Sequence, residues 1–385
     1  MVEGELVYTA YADLGSTYGG GPQSTFIWRA LLDEGLLAQA YFRMVKGEGP
    51  FQKTSGIYPF GQFGGKIVGV ASELFGYSSR FVNEMIFDFF VARVLRKKER
   101  KILLTSAIMP KSANIVKENG GKIIFIAKNS LGYATIVEEE SKYWDYPIKP
   151  AQLVYGREYD KWVLDIPDLV LTLAHKDVDF LKSKGINAVH ILNGVNSKRF
   201  AFNAMKKSTD CPTFLFLGAE PLRKGLFYLL SAWKMAGEPG RLVVGGVGSQ
   251  MRKIKKYIHY KLGNFKRLEL YPYLDSLSAY YNADAFVFPT LAEGMPRVVL
   301  EAASCGLPVI TTDIGSGGII NHLKTGYIVM KRDIAGLAKA ILYLADNANV
   351  RRELGLSARL IIDSVQYNNF AKQIADNVKE FMNFA

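Results

Sequence analysis

The chain has 385 residues, of which 49% are hydrophobic and 22% are charged. At about 100–200 residues per domain this length predicts two domains, and the composition excludes a disordered chain, a collagen-like repeat and a small disulfide-stabilised fold. Lysine and arginine outnumber aspartate and glutamate by 48 to 36, a net charge of +12. Such a surplus favours anionic partners: nucleic acid, an acidic membrane surface or a phosphorylated substrate.

The two cysteines, Cys211 and Cys305, both lie in apolar stretches. Because one pair cannot stabilise a chain of this length, a reducing cytoplasm is the default expectation. The stretch MVEGELVYTAYADLG lacks a basic segment followed by an apolar one, so a signal peptide is not expected. No uncharged apolar run reaches about 18 residues, so a membrane span is not expected either.

Short β-type runs alternate with stretches of helical periodicity along the first half, the pattern of a parallel sheet with crossover helices. Strands are predicted at 5–10, 38–44, 101–105, 122–127, 169–173 and 188–192. Helices are predicted at 24–33, 81–98, 110–118 and 176–183. The first half therefore predicts one doubly wound domain.

The pattern lapses into polar residues at 196–212 and then resumes. Strands are predicted at 213–217, 241–245, 267–270, 285–289 and 308–311, and helices at 226–235 and 367–384. We therefore predict two Rossmann-like α/β domains, residues 1–205 and 206–365. Residues 366–385 are predicted to form a helix that packs back on the first domain.

The stretch 81–101 joins large apolar side chains to a dense group of cations: Arg93, Arg96, Lys97, Lys98, Arg100 and Lys101. This combination fits an amphipathic helix that lies on an anionic membrane. A core helix with a basic end explains the same residues equally well. Both interpretations stay open at this point.

The most informative segment is PTLAEGMPRVVLEAASCGLP, residues 289–308. A predicted strand ends here, a loop with Glu293 follows, and a helix with Glu301 is expected to have Pro296 in its first turn. Such loops bind ligands in open α/β folds, and free N–H groups near Met295–Val298 would face an anion such as a diphosphate. The two carboxylates could hold hydroxyls at opposite ends of one ligand. A solvated loop and helix face is the alternative.

Two further segments follow predicted strands. FLFLGAEPLRKG, residues 214–225, places Arg223 and Lys224 before a helix, where they could neutralise phosphates. A solubilising surface pair is the alternative. STYGGGP, residues 16–22, contains glycines that permit a ligand to approach the backbone closely, although a flexible loop is equally consistent.

Together these segments resemble the retaining GT-B glycosyltransferases of family four, the glycosyl transferases group 1. The resemblance is best over about 213–360, and its specific signal is the Glu-x7-Glu element in EGMPRVVLEAASCG. The first half contributes the GGGP loop and HILNGVNSKRF, residues 190–200. The resemblance implies two Rossmann-like domains that face a cleft, with the C-terminal helix crossing back to the N-terminal domain. It also implies transfer of a hexose from a nucleotide-sugar.

The resemblance further implies residue roles. Glu293 would contact the hydroxyls of the donor sugar and Glu301 those of the ribose, while Lys224, with Arg223, would bind the diphosphate. Glu293, Lys224 and Arg223 are thus the expected catalytic residues. The other expected donor-binding residues are Gly218, Gly294, Met295, Pro296, Arg297 and Val298, and Gly19, Gly20 and Gly21 form the expected glycine loop of the N-terminal domain.

The sequence departs from the family in two places. Ala219 stands where the family has an arginine after the strand's glycine, so Arg223 is the candidate replacement. The stretch IIFIAKNS, residues 123–130, lacks the family's histidine, which leaves the donor sugar open.

No metal site is expected. Asp177 and Asp179 resemble a DxD motif, but they fall in the first turn of a predicted helix, where carboxylates are favoured anyway. The four histidines, His175, His190, His259 and His322, lack the spacing of a metal site. Glu138–Glu140 is interpreted as a solvated helix face.

The sequence therefore predicts a cytoplasmic glycosyltransferase, with peripheral attachment to the inner face of the membrane as an open alternative. A UDP- or GDP-sugar donor and a glycan or lipid-linked acceptor are expected, with no cofactor and no metal in the bond-breaking step. One alternative is a catalytically silent nucleotide-binding module of the same fold. The other is a nucleic-acid-binding protein, which only the charge suggests, so no nucleic acid is expected as a partner.

Overall fold

The computed structural model describes residues 6–14, 21–45, 53–57, 78–95, 101–202 and 211–384. They fall into two compact units. Unit 1 comprises Met1–Thr135, Ile148–Leu192 and Tyr367–Ala385, and unit 2 comprises Ile136–Pro147 and Asn193–Gln366. The chain thus changes unit after residue 192 rather than at the expected 205, and residues 136–147 group with unit 2.

The described residues of unit 1 form a parallel sheet of seven strands. They are β1 (Leu6–Leu14), β2 (Leu37–Val45), β3 (Thr54–Gly56), β4 (Ile102–Thr105), β5 (Lys122–Ala127), β6 (Leu169–Thr172) and β7 (Ala188–His190). The strand order is β3-β2-β1-β4-β5-β6-β7. The central strands are apolar runs rather than alternating ones, because helices cover both faces of such a sheet.

The helices of unit 1 are α1 (Gly21–Asp33), α2 (Ser79–Leu95), α3 (Pro110–Glu118), the start of α4 (Tyr133–Tyr143), α5 (Pro150–Asp165) and α6 (Asp177–Ser183). The C-terminal helix α13 (Tyr367–Phe384) belongs to this unit and packs against α1. The ring of Phe26 on α1 lies 5.2 Å from that of Tyr367.

Helix α2 covers most of the stretch for which membrane and core interpretations were both open. Its residues Phe87, Val91 and Leu95 are buried in the core of unit 1. The described part of this stretch is therefore a core helix, and the cations at 96–100 lie outside the described residues. Within the described ranges, no helix is long and apolar enough to cross a membrane.

Unit 2 contains a parallel sheet of six strands. They are β8 (Thr213–Leu217), β9 (Arg241–Gly245), β10 (Leu268–Tyr271), β11 (Ala285–Phe288), β12 (Val309–Thr312) and β13 (Tyr327–Val329), in the order β10-β9-β8-β11-β12-β13. Its helices are α7 (Leu226–Met235), α8 (Met251–Tyr257), α9 (Ser276–Asn282), α10 (Arg297–Ser304), α11 (Ile334–Asp346) and α12 (Ala348–Leu360). A π-helical turn, Ile258–Leu262, continues α8.

The strand order of unit 2 reverses beside β8, which lies between β9 and β11. Open α/β sheets bind ligands outside the carboxyl ends of their strands at such a reversal. The loops that follow β8 and β11 are the two that carry the predicted catalytic residues. The topology therefore brings both loops to the edge where a ligand is expected.

Candidate functional site

The loop after β8 is a tight turn built onto the start of α7. The backbone N–H of Lys224 donates to the carbonyl of Glu220 at 2.9 Å, and that of Leu226 donates to the carbonyl of Pro221 at 2.9 Å. Between them Gly225 has φ +72°, where a β-carbon would collide with the carbonyl oxygen of Pro289. Glycine therefore permits the β8 loop to approach the β11 loop this closely.

Lys224 and Glu293 are in direct contact across these two loops. The Nζ of Lys224 donates to Oε1 of Glu293, and Nη1 of Arg223 lies 3.4 Å from the same oxygen. The side chains of Lys224 and Glu293 are only 14% and 10% exposed. The structure thus brings together the three residues that the sequence analysis expected to be catalytic.

Arg223 also makes contacts within the protein that join the two loops. Its Nε lies 2.9 Å from Oε2 of Glu220, and its Nη1 donates to the carbonyl of Ala292 at 2.8 Å. Its own carbonyl accepts from the N–H of Leu291 at 2.9 Å. Arg223 therefore fixes the β8 loop to the β11 loop, whereas its expected contact with a diphosphate stays a prediction.

Burial, and then the neighbouring Arg223 guanidinium, lower the pKa of Lys224 well below its ordinary value, while the Glu220 carboxylate opposes this shift. A buried ammonium is costly unless anionic groups compensate its lost hydration. Glu293 is one such group. A second anion beside Lys224 would favour the protonated lysine further, so the geometry suits an anionic ligand.

The lack of a side chain at Gly218 leaves room for the side chain of Lys224. A β-carbon at this position would lie 3.2 Å from Cγ of Lys224 and 3.3 Å from the ring of Phe216. The N–H of Gly218 already donates to the carbonyl of Gly245 at 3.0 Å. At Ala219, the position of the missing arginine, the carbonyl accepts from Nε2 of Gln250 at 2.8 Å.

Helix α10 carries Glu301 and follows directly on Pro296. Pro296 lies in extended conformation with ψ 118° and caps the helix, so the expectation of a proline in the first turn is wrong. Arg297 is the first helical residue. The N–H groups of a first helical turn have no intrahelical partner, which leaves the region of Arg297 and Val298 suited to an anion.

Glu301 is a partly buried carboxylate with a tyrosine partner. The hydroxyl of Tyr280 on α9 lies 3.0 Å from Oε2 of Glu301 and 3.1 Å from the carbonyl of Val298. Burial raises the pKa of Glu301, while Arg297, Tyr280 and Arg199 oppose the shift. Tyr280 was not predicted as a site residue, although an aromatic pair at 280–281 precedes β11 in the sequence.

The loop between Glu293 and α10 is held by two other segments. Nδ2 of Asn193 donates to the carbonyl of Met295 at 2.9 Å, and the N–H of Asn193 lies 3.0 Å from Sδ of the same methionine. From the other side Gly317, at φ +59°, packs so closely on Met295 that a β-carbon would lie 2.6 Å from its Cγ. Gly294, Met295 and Pro296 are all buried. Asn193 lies in the stretch 190–200, whose resemblance to the family was its sequence signal.

The remaining expected site residues have mixed outcomes. Gly21 is the first residue of α1, while Gly19 and Gly20 lie outside the described part of the chain. Asp177 is in the first turn of α6, where its carboxylate accepts from the N–H of Leu131 at 2.8 Å. Burial raises the pKa of Asp177 to about 6. Among the described residues no three His, Cys, Asp or Glu side chains group as metal ligands.

The interpretation of Glu138–Glu140 as a solvated face is wrong for Glu140. This residue is 1% exposed and accepts a hydrogen bond of 2.8 Å from the hydroxyl of Tyr228. The error arose because a run of three acids was treated as one surface, although successive helical residues point in different directions.

A groove of about 520 Å³ lies elsewhere in unit 2, between α9 and the strands β8, β9 and β10. Its lining includes Arg241, Glu269, Tyr271 and Asn282. It shares no residue with the Lys224–Glu293 contact or with Glu301, so it is not part of the candidate site.

Residues 211–347 match the sequence model of the family described as Glycosyl transferases group 1. The chain is 26% identical to the glycogen synthase of Mycobacterium tuberculosis over 211 residues, which are 52% of this chain and 51% of that protein. It is 30% identical to the capsular polysaccharide biosynthesis glycosyltransferase CapM of Staphylococcus aureus over 195 residues, 47% of this chain and 50% of CapM. The chain thus spans about half the length of these curated relatives.

Solved structures match nearly the whole chain. Sucrose-phosphate synthase from Thermosynechococcus elongatus has a TM-score of 0.72 at 18% identity, covering 99% of this chain and 100% of that one. Anabaena HepE in complex with UDP-glucose has a TM-score of 0.65 at 13% identity, covering 97% and 99%. These likenesses confirm the predicted fold, two Rossmann-like domains of the GT-B type.

Proposed function

We propose that this chain is a retaining glycosyltransferase that moves a hexose from a UDP- or GDP-sugar to a glycan or lipid-linked acceptor. The observation that carries the proposal is the buried contact between Lys224 and Glu293 at the strand-order reversal of unit 2. The group 1 match of residues 211–347 supports the same activity. The complex of HepE with UDP-glucose supports a nucleotide-sugar as donor.

In this proposal Lys224 stabilises the leaving group. Breaking the bond between the sugar's anomeric carbon and the diphosphate leaves negative charge on the phosphate oxygen. A preorganised ammonium and the N–H groups at the start of α10 lower the barrier because they already point at that charge. Arg223 contributes by holding Lys224 and Glu293 in register. These groups supply the positive charge that the step needs, so no metal or cofactor enters it.

Glu293 binds the sugar rather than attacking it. Its carboxylate is already engaged by Lys224 and Arg223, which makes it a poor nucleophile, while its remaining lone pairs can still accept from sugar hydroxyls. The acceptor's hydroxyl then attacks from the face that the phosphate leaves, and the departing phosphate takes the hydroxyl's proton. One bond to the anomeric carbon breaks while another forms on the same face, so the configuration is retained.

Glu301 holds the ribose in this proposal. Its carboxylate lies eight residues after Glu293, on the helix whose first turn faces the phosphates. Ribose hydroxyls would donate to Glu301, while Tyr280 keeps the carboxylate oriented. This assigns the sugar, the diphosphate and the ribose to three adjacent parts of one unit.

The acceptor is proposed as a glycan or a lipid-linked glycan because CapM is named for capsular polysaccharide biosynthesis. We place the enzyme in the cytoplasm, attached to the inner face of the membrane through the cations of 93–101. In this proposal the cations alone contact the membrane, because α2 itself is a core helix.

A thermal-shift panel tests the donor. UDP-, GDP- and ADP-sugars would be added to the parent and to Glu301→Ala, because a ligand of the native state raises the melting temperature as RT ln(1 + [L]/Kd). We expect a UDP- or GDP-sugar to stabilise the parent and to stabilise Glu301→Ala much less. NMR of the transferred sugar then reads its anomeric configuration. Binding without turnover on any acceptor would favour the silent module, and no stabilisation by any donor would contradict the proposal.

A further inference from the structure

Glu140 is a buried carboxylate for which the proposed mechanism has no use. It is 1% exposed and lies near the end of α4, in the stretch 136–147 that belongs to unit 2. Three donors converge on it: the hydroxyl of Tyr228 at 2.8 Å, Nε1 of Trp144 at 3.1 Å and Nε of Arg332 at 2.6 Å. A buried carboxylate is tolerated only with such partners. The density of donors shows a built arrangement rather than a chance contact.

Tyr228 connects this carboxylate to the candidate site. It is the third residue of α7, the helix that begins immediately after Lys224 and Gly225. Its ring stacks on that of Tyr143 at 6.2 Å and meets the edge of Trp144 at 4.9 Å. The first turn of α7 is therefore fixed to the stretch 136–147 by both ring packing and a charged hydrogen bond.

Arg332 joins a third element to the same carboxylate. It lies between β13 and α11 with φ +67°, and its Nη2 also lies 2.7 Å from Oε2 of Glu139. Helix α11 packs against α7. Glu140 thus sits where α4, α7 and the start of α11 meet, and its contact with Tyr228 is the one that reaches the turn carrying Lys224.

We propose that Glu140 is a positioning residue of the donor site, which holds the first turn of α7 and thereby keeps Lys224 against Glu293. The inference rests on the proposed function, since it assumes that Lys224 binds a diphosphate. Glu140 lies outside the matched range 211–347. In this proposal a residue from an earlier part of the chain therefore supports the donor-binding residues. Loss of Glu140 should impair recognition of the phosphates and leave recognition of the nucleoside intact.

The test compares Glu140→Gln and Tyr228→Phe with the matched control Glu139→Gln. Glu139 is adjacent and pairs with the same arginine, but its side chain is 56% exposed, so its ion pair contributes little. Binding of uridine, UDP, guanosine and GDP is measured by calorimetry, with competition for the weak ligands. The readout is the ratio of nucleoside Kd to nucleoside diphosphate Kd, which a general loss of stability would not change.

We expect this ratio to fall about tenfold in Glu140→Gln and in Tyr228→Phe, as for loss of a charged hydrogen bond, and to stay at the parent value in Glu139→Gln. Tyr228→Phe keeps the ring packing, so it remains informative should Glu140→Gln fail to fold. An unchanged ratio in Tyr228→Phe, or equal losses for nucleoside and diphosphate, would overturn the inference alone. A parent that binds neither diphosphate would overturn the proposed function, and this inference with it.

Discussion

We expect diphosphate binding by the parent protein to weaken as the pH rises. Replacing Lys224 by arginine should remove this pH dependence. Burial and Arg223 lower the pKa of Lys224, so this lysine loses its proton at a lower pH than an exposed one. Only the protonated form attracts a diphosphate. Above the pKa of the free protein, one proton must be taken up with each ligand, so log Kd should rise by about one per pH unit, which is about 1.36 kcal/mol. Arginine stays charged throughout this range.

The assay is calorimetric titration with UDP or GDP at increasing pH, for the parent, Lys224→Arg and Lys224→Ala. The nucleotide's own titration is common to all three proteins and cancels in the ratio of their dissociation constants. Lys234→Ala is the control, because Lys234 lies in the last turn of the same helix and its Nζ donates to the carbonyl of Leu262 instead. If the parent and Lys224→Arg showed the same alkaline slope, Lys224 would not be the titrating cation and the reasoning would fail.

Four other changes have definite expected outcomes. Glu301→Ala should weaken nucleoside diphosphate binding by about 10- to 150-fold, the equivalent of about 1.5–3 kcal/mol. Glu293→Ala should lower turnover more than it weakens that binding. Calorimetry and initial rates check both, with exposed Glu353→Ala as control. Gly225→Ala should lower the free energy of unfolding, measured by urea titration, by at least about 1–3 kcal/mol. The decrease should be larger than for Gly237→Ala, because Gly237 has the same φ of +72° but open space around it. Reversing the charges of Arg96, Lys97, Lys98 and Arg100 should reduce sedimentation with acidic vesicles at low salt. Each cation is expected to contribute about 1 kcal/mol to the free energy of membrane binding. A parent protein that does not sediment would favour a soluble acceptor.

The fold could be predicted where local signals coincide. Residues 213–217 and 226–235 have the predicted bounds because an apolar run and a one-sided apolar helix are separated by glycine and proline. The strands β3 and β13 were not predicted, because each has only three residues at the edge of its sheet and little pattern to detect. Helix α5 was not predicted either, and of α4 only the acidic run at 138–140 was expected to be helical, since their apolar positions are diluted by acidic and aromatic residues.

The candidate site divides in the same way. Glu293, Glu301 and Lys224 could be named because each lies in a segment that follows a predicted strand and that resembles a motif of the family. Asn193 and Glu140 could not, because they meet their partners across 102 and 88 residues of chain. Such contacts are decided by tertiary packing. The sequence signal for Asn193 was only that it lies in the stretch 190–200, and Glu140 was part of an acidic run that suggested a solvated face. The residues proposed to contact the ligand were thus predictable, whereas Asn193 and Glu140, which contact the segments around them, were not.

The environments of Glu293 and Glu301 differ in a way that fits the two different tasks that we propose for them. Glu293 touches the ammonium of Lys224 and lies near the guanidinium of Arg223, so its charge is fixed before any ligand arrives. Glu301 instead has a neutral tyrosine partner, and burial raises its pKa. A carboxylate that is paired with cations, like Glu293, organises them around a leaving phosphate. A carboxylate with a neutral partner, like Glu301, gains most from new hydroxyl donors. Because desolvation of Glu301 costs less once ribose hydroxyls donate to it, that residue suits reversible nucleotide binding, while Glu293 suits the bond-breaking step.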